Sequence, residues 1–96
     1  MITSIDIFEK MKEIKPYLSD EFSVKEIGLF GSYSDNSYND ESDIDIIVEL
    51  EKPIGWKFLS LEIYLEKIFE KKIDLITKEA LKEPIRDLIL QQVRYV

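Results

Sequence analysis

Apolar residues recur along this chain at two spacings, one typical of helices and one typical of strands. In three segments every third or fourth residue is apolar, which is the pattern of a helix with one face in the core. These predicted helices span 4–18, 56–70 and a last segment that opens at Pro84. Short apolar runs lie between them and favour strands. The predicted strands are 24–30, 43–50 and 73–77.

The order of these segments predicts a small α+β fold. A short helix can start at Ser32, so the element order is α-β-α-β-α-β-α. Helices that cover three strands give a small mixed three-stranded sheet flanked by helices. With 96 residues, the chain is expected to form one domain over residues 1–96. Thr3 or Ser4 can cap the first helix, and Pro16 is expected to bend or shorten its last turn.

The composition excludes several classes of function. The chain has no cysteine and no histidine, which removes disulfides, thiolate or imidazole zinc sites and histidine-activated nucleophiles. A formal charge of −7 argues against direct nucleic-acid binding, which needs a basic surface. No apolar run approaches the roughly 20 residues of a membrane helix, and residues 1–10 lack the charged-then-apolar pattern that is typical of a signal peptide. We therefore expect a cytoplasmic protein without membrane contact, whose chemistry uses carboxylates, hydroxyls, basic side chains and a hard metal ion.

Two aspartates stand at the start of the second predicted strand. Side chains alternate faces along a strand, so Asp43 and Asp45 point to the same side. The apolar residues of the run then face the core, namely Ile44, Ile46 and Val48. Two ionised carboxylates on one face repel each other unless a positive charge lies between them. In proteins this charge is often a divalent metal ion, which frequently also binds a phosphate. A pair of solvated aspartates without a role is the alternative.

Asp74 and the Gly31–Ser32 pair extend this candidate site. Asp74 is either a solvent-facing strand residue or, if the second and third strands are neighbours, a third carboxylate around one or two metal ions. Gly31 ends a strand and lets the backbone approach a phosphate, and Ser32 adds a hydroxyl donor, although Gly-Ser is also a common turn. The acidic loop does not fit a calcium loop, because Asp40 and Ile46 stand where glycine and glutamate are needed.

Three stretches of the sequence combine into a specific motif. They are LFGSYS at 29–34, Asp-Ile-Asp at 43–45, and KKIDLITKEALKEPIRDLIL at 71–90. This combination resembles the minimal nucleotidyltransferases of the DNA polymerase beta superfamily. It is most similar to the MntA-type antitoxins of HEPN/MNT toxin–antitoxin pairs, and the resemblance covers most of the chain.

The resemblance implies an activity, a cofactor and a partner. Asp43 and Asp45 would hold Mg²⁺, while Asp74 would complete the metal site and help to deprotonate an incoming hydroxyl. Gly31 and Ser32 would hold the nucleotide triphosphate. Members of the family transfer AMP from ATP to a tyrosine of a HEPN toxin, which silences the RNase activity of the toxin. The chemistry is in-line attack at the α-phosphate, and pyrophosphate leaves.

The chain departs from the family pattern just after the Gly-Ser pair. Many relatives carry Ala, Arg and Gly there, whereas this chain has Ser34, Asp35 and Asn36. An aspartate in place of an arginine repels phosphates. The lysines that could supply the missing charge are Lys57, Lys71 and Lys72. Two other hypotheses therefore stand beside the enzyme: a weak or inactive antitoxin that neutralises its toxin by binding, and an acidic scaffold with incidental carboxylates.

Overall fold

Helices and strands alternate along the computed structural model, which describes residues 2–96. The elements are α1 (Ser4–Phe22), β1 (Val24–Phe30), α2 (Ser32–Asp35), β2 (Ile44–Leu50), α3 (Lys57–Phe69), β3 (Ile73–Thr77), a 3₁₀ turn (Lys78–Ala80), α4 (Ile85–Gln92) and β4 (Arg94–Tyr95). The α+β order predicted from the sequence is confirmed. Within residues 2–96, none of the helices combines the length and the apolar character needed to cross a membrane.

The strands form one mixed sheet in the order β3-β2-β1-β4. β1 runs antiparallel to β2 and to β4, whereas β2 and β3 are parallel neighbours. The prediction of three strands was wrong, because β4 adds a fourth strand at the free edge of β1. β4 is only two residues long and has no alternating pattern of its own, so it exists through its pairing with Gly28 and Leu29.

One face of the sheet carries the hydrophobic core. The predicted apolar stripe of α1 is buried there, and so are Leu61 and Leu65 of α3, while the remaining apolar residues of that stripe are partly buried. The sheet contributes the inward-facing residues of β2, and the prediction for Ile44, Ile46 and Val48 is confirmed because all three are 0% exposed. The alternation of side chains along β2 and β3 then directs Asp45 and Asp74 to the opposite face.

The first helix is longer than the sequence indicated. Thr3 caps it with a reciprocal capping box, since the Thr3 hydroxyl accepts from the Asp6 N–H and the Asp6 carboxylate accepts from the Thr3 N–H. Pro16 does not shorten α1, because Leu18 and Phe22 continue the buried stripe beyond it. The packing of these two side chains outweighs the backbone hydrogen bond that a proline removes.

The last helix is less buried than the sequence indicated. α4 begins at Ile85, directly after Pro84 as predicted, but none of its residues is buried. Ile85 and Leu88 are 58% and 61% exposed, although their spacing predicted a core-facing stripe. Instead, Val93 lies over Gly28 of the sheet. α4 therefore does not cover the sheet in the way that α1 and α3 do.

Candidate active site

The candidate site lies at the end of the sheet where β1 ends and β2 and β3 begin. Because β1 is antiparallel to β2, and β3 is parallel to β2, the last residue of β1 meets the first residues of the other two strands. Phe30 pairs with Asp45, and Asp45 pairs with Asp74. The sheet topology thus brings Gly31 and two of the predicted aspartates to one edge.

Asp45 and Asp74 form a carboxylate pair across two neighbouring strands. Burial of Asp45, together with its hydrogen bond to Asp74 and the negative charges of Asp74 and Asp43, raises the pKa of the Asp45 carboxyl to about 6. Asp45 is half-buried, whereas Asp74 is exposed. Adjacent carboxylates of this kind are stabilised by a shared proton or by a cation.

Asp43 is near this pair but lies outside the strand pairing. It precedes the first residue of β2, so it takes no part in the strand ladder, and its charge is the smallest of the causes that raise the pKa of Asp45. In the part of the chain that the structure describes, no three acidic side chains are arranged to hold a metal ion by themselves. Mg²⁺ is commonly held by one or two carboxylates together with substrate phosphates. The oxygen donors at this edge fit that mode of binding.

Gly31, the first residue of the Gly-Ser turn, lies directly against the Asp45 carboxylate. Its backbone has φ 70° and ψ −149°, a conformation that is essentially restricted to glycine. A Cβ atom on Gly31 would also overlap the Oδ2 atom of Asp45. The Asp45 carboxylate therefore packs directly against the backbone that leads into Ser32 and α2, and only glycine satisfies both constraints.

The residues that depart from the family pattern have structural roles in the loop after α2. Asn36 has φ 64°, a left-handed conformation that glycine and asparagine adopt most readily, so asparagine fits this position without a glycine. The Asp35 carboxylate accepts hydrogen bonds from the N–H and the hydroxyl of Ser37, and these bonds lower the pKa of Asp35. Asp35 thus stabilises its own turn.

Of the three lysines considered for the missing positive charge, the structure excludes Lys57. Its ammonium donates to the backbone and carboxylate oxygens of Glu21, which lies at the opposite end of the sheet. Lys71 lies near the site, where its ammonium donates to the backbone oxygen of Asp40. Lys72 is exposed next to it.

Contacts between the C-terminal segment and α2 were not anticipated from the sequence. The Ser34 hydroxyl donates to the backbone oxygen of Gln92, and the Arg94 guanidinium donates to the backbone oxygen of Ser34 at 3.3 Å. Arg94 also lies over the ring of Phe8, with 5.9 Å between its guanidinium carbon and the ring centroid. These partners are far apart in the chain, and no local pattern predicts such pairs.

The fold and this edge of the sheet define a nucleotidyltransferase. Residues 11–96 match the nucleotidyltransferase domain family, and the chain belongs to that family. Within it, the chain is 39% identical over 97 residues to the protein adenylyltransferase MntA of Thermococcus cleftensis. The alignment covers 100% of this chain and 98% of that relative. The resemblance inferred from the sequence is therefore confirmed.

Solved structures share the fold. One is a toxin–antitoxin complex with AMP-PNP, which has a TM-score of 0.73 and 24% identity over 88% of this chain and 69% of that chain. Another is the tri-AMPylated HEPN toxin of Shewanella oneidensis in complex with its MNT antitoxin. Its TM-score is 0.65, with 22% identity over 93% of this chain and 69% of that chain. At these identities the similarity establishes the fold.

Proposed function

We propose that this chain, acting as a single domain, is a magnesium-dependent protein adenylyltransferase. It transfers AMP from ATP to a tyrosine of a cognate HEPN-type toxin and thereby acts as an antitoxin. The observation that carries the proposal is the Asp45–Asp74 pair packed against the Gly31 turn. The adenylyltransferase activity in the name of the Thermococcus relative supports it, and so do the AMP-PNP and the AMPylated toxin in the two complexes.

The Gly31–Ser32 turn would hold the triphosphate. Gly31 has no side chain, so the backbone can approach phosphate oxygens closely, and the half-buried Ser32 adds a hydroxyl donor. Since the Asp45 carboxylate packs against Gly31, the phosphates and the carboxylates would lie side by side. That proximity requires a positive charge between them.

The aspartates would supply the metal site and the base. Asp43 and Asp45, completed by Asp74, would hold Mg²⁺, which would neutralise the phosphates and favour the departure of pyrophosphate. Asp74 is the exposed member, so an incoming tyrosine hydroxyl could reach it, and it would help to accept the proton of that hydroxyl. The tyrosine oxygen then bonds to the α-phosphorus, and the bond from that phosphorus to pyrophosphate breaks.

The test is incubation of the chain with the cognate toxin, Mg²⁺ and ATP labelled at the α-phosphate. We expect label on a toxin tyrosine, and none from ATP labelled at the γ-phosphate. Asp45→Asn keeps the shape of the side chain and should reduce labelling about a hundredfold or more. Asp20→Asn removes the same charge from an exposed position on α1 and serves as the matched control. Toxin that stays unlabelled with each of the four nucleotides would refute the proposal.

Neutralisation by binding is the second candidate function. It is favoured by Asp35, which stands where many relatives carry an arginine, and by the exposed apolar residues Trp56, Ile85 and Leu88. The two functions differ in their dependence on the aspartates. A variant with Asp43→Ala and Asp45→Ala, expressed at the normal level, should fail to rescue cells from the toxin if AMP transfer is required. Rescue by that variant would establish neutralisation by binding.

A further inference from the structure

The loop that leads to Asp43 is tied to the start of β3 by two hydrogen bonds. The Lys71 ammonium donates to the backbone oxygen of Asp40 at 2.9 Å. The Ile44 N–H donates to the backbone oxygen of Lys72 at 3.0 Å. One bond lies before Asp43 in the chain and the other lies after it, so together they bracket this aspartate.

The bracket matters because the three aspartates are not fixed equally well. The register of the parallel strands holds Asp45 beside Asp74. Asp43 lies outside the ladder, at the end of a turn whose own hydrogen bonds join Asn39, Glu41 and Ser42. Within residues 2–96, the turn at 39–43 receives one hydrogen bond from a side chain outside it. The donor of that bond is the Lys71 ammonium.

We infer that Lys71 is a positioning residue, which holds the turn so that Asp43 stands beside the Asp45–Asp74 pair when a divalent cation binds. The inference rests on the proposed function, because it assumes that this edge of the sheet is a metal site. It assigns Lys71 no contact with the nucleotide. Its role depends on a hydrogen bond to a backbone oxygen, so any side chain that can reach and donate there should replace it.

The charge of Lys71 and its hydrogen bond to the turn predict opposite effects of a Lys71 substitution on metal affinity. An ammonium near a cation site repels the cation, so the removal of its charge alone would strengthen metal binding. The loss of a positioning bond would weaken metal binding instead. The neighbouring Lys72 offers a matched control, because its exposed side chain makes no hydrogen bond or ion pair within residues 2–96.

The experiment compares the wild type with Lys71→Met, Lys71→Arg and Lys72→Met. Mn²⁺, which takes oxygen ligands as Mg²⁺ does, is titrated into each protein with one equivalent of AMP-PNP, whose phosphates complete the coordination, and the free ion is followed by electron paramagnetic resonance against AMP-PNP without protein. We expect Lys71→Met to raise the dissociation constant about three- to tenfold, the range that one hydrogen bond spans. Lys71→Arg should restore binding, and Lys72→Met should leave it equal or slightly tighter. The far-UV circular dichroism of all four proteins should coincide.

The kinetics of AMP transfer provide a second measurement. Lys71→Met should raise the Mg²⁺ concentration at half-maximal rate by the same factor and should change KM for ATP little at saturating Mg²⁺. If Lys71→Met binds Mn²⁺ as the wild type does, or if Lys71→Arg fails to restore binding, the inference is overturned while the proposed function stands. A wild type that binds no Mn²⁺ overturns it as well. A wild type that binds Mn²⁺ but labels no toxin refutes the proposed function and leaves the positioning role intact.

Discussion

At the scale of single residues, Gly31 is restricted to glycine both by its backbone conformation and by the nearby Asp45 side chain, whereas Gly55 has a positive φ but no such neighbour. Gly31 combines a positive φ with a position where a Cβ would overlap Asp45, whereas Gly55 has φ 58° and no atom within 4 Å of where its Cβ would lie. Gly55 therefore has the conformational constraint without the steric one. Comparison of the two glycines gives an upper bound on the steric contribution of the Asp45 contact, because the ψ of −149° at Gly31 adds to the backbone constraint.

We predict that Gly31→Ala destabilises the protein more than Gly55→Ala does. Gly55→Ala should lower the free energy of unfolding by about 1 kcal/mol, the strain of a non-glycine residue at positive φ. Gly31→Ala should lower it by about 2–4 kcal/mol, because overpacking against Asp45 adds to the strain. Urea unfolding followed by circular dichroism gives both values. Equal losses would mean that the Asp45 carboxylate does not pack against Gly31.

The raised pKa of Asp45 predicts how stability depends on pH without metal. An aspartate in the unfolded chain titrates near 3.8, whereas Asp45 in the folded protein titrates at about 6. Between these values the folded state holds the proton more tightly, so stability falls as the pH rises from about 4 to 6 and is constant above. Asp45→Asn lacks this loss and should be more stable than the wild type at pH 7, by on the order of 1 kcal/mol after screening by solvent.

The comparison is made by urea unfolding at pH 4 and at pH 7 in the presence of a chelator. The advantage of Asp45→Asn should shrink toward zero at pH 4, and Asp20→Asn should show no such change between the two conditions. A variant that is less stable than the wild type at pH 7 would show that Asp45 is not held in an unfavourable carboxylate pair.

At the scale of elements, the start of α1 is determined by local chemistry. The Thr3 hydroxyl accepts from the Asp6 N–H at 3.2 Å, and the Asp6 carboxylate accepts from the Thr3 N–H at 3.0 Å. Thr77 also precedes a helical turn, but its side chain makes no capping bond. Thr3→Ala should therefore cost about 1 kcal/mol of stability in urea unfolding, and Thr77→Ala should cost clearly less. Equal costs would remove the capping box as the reason for this helix start.

The elements also differ in how far the sequence predicts them. β1 and β3 were predicted with the ends that the structure has, because each is a short segment rich in apolar residues and bounded by polar or turn-forming residues. The end of α1 was not, because packing beyond Pro16 is decided by the core. The exposure of α4 was not predicted, because a periodic stripe indicates which face of a helix is apolar and does not indicate what covers that face. β4 arises from pairing between distant residues.

Part of the candidate site was predictable from the sequence, and part of it was not. Strand alternation and the order of elements bring Asp45 and Asp74 together once β2 and β3 are neighbours. The overlap of Gly31 with Asp45 and the bond from Lys71 to Asp40 depend on atomic distances between separate elements. Composition and periodicity carry no information about such distances.

At the scale of the whole molecule, the C-terminal segment joins α1, β1 and α2. The Val96 N–H donates to the backbone oxygen of Ile27 at 3.1 Å, and the Lys15 ammonium donates to the backbone oxygen of Val96 at 2.7 Å. The same segment holds α2 through the hydrogen bond between Ser34 and Gln92. The C-terminal segment therefore connects α1, β1 and the helix that follows the Gly-Ser turn.

Gly28 makes this connection possible, because a Cβ there would lie 2.6 Å from Cγ1 of Val93 and 3.0 Å from the backbone oxygen of Arg94. We predict that Gly28→Ala lowers the free energy of unfolding by about 1–2 kcal/mol and accelerates hydrogen exchange at the Val96 amide. Val93→Ala removes the closest atom, so in that background Gly28→Ala should cost at least about 0.5 kcal/mol less. Gly55→Ala, which meets no neighbour, should cost the same in both backgrounds. Strictly additive effects of Gly28→Ala and Val93→Ala would mean that the Val93 side chain does not lie over Gly28.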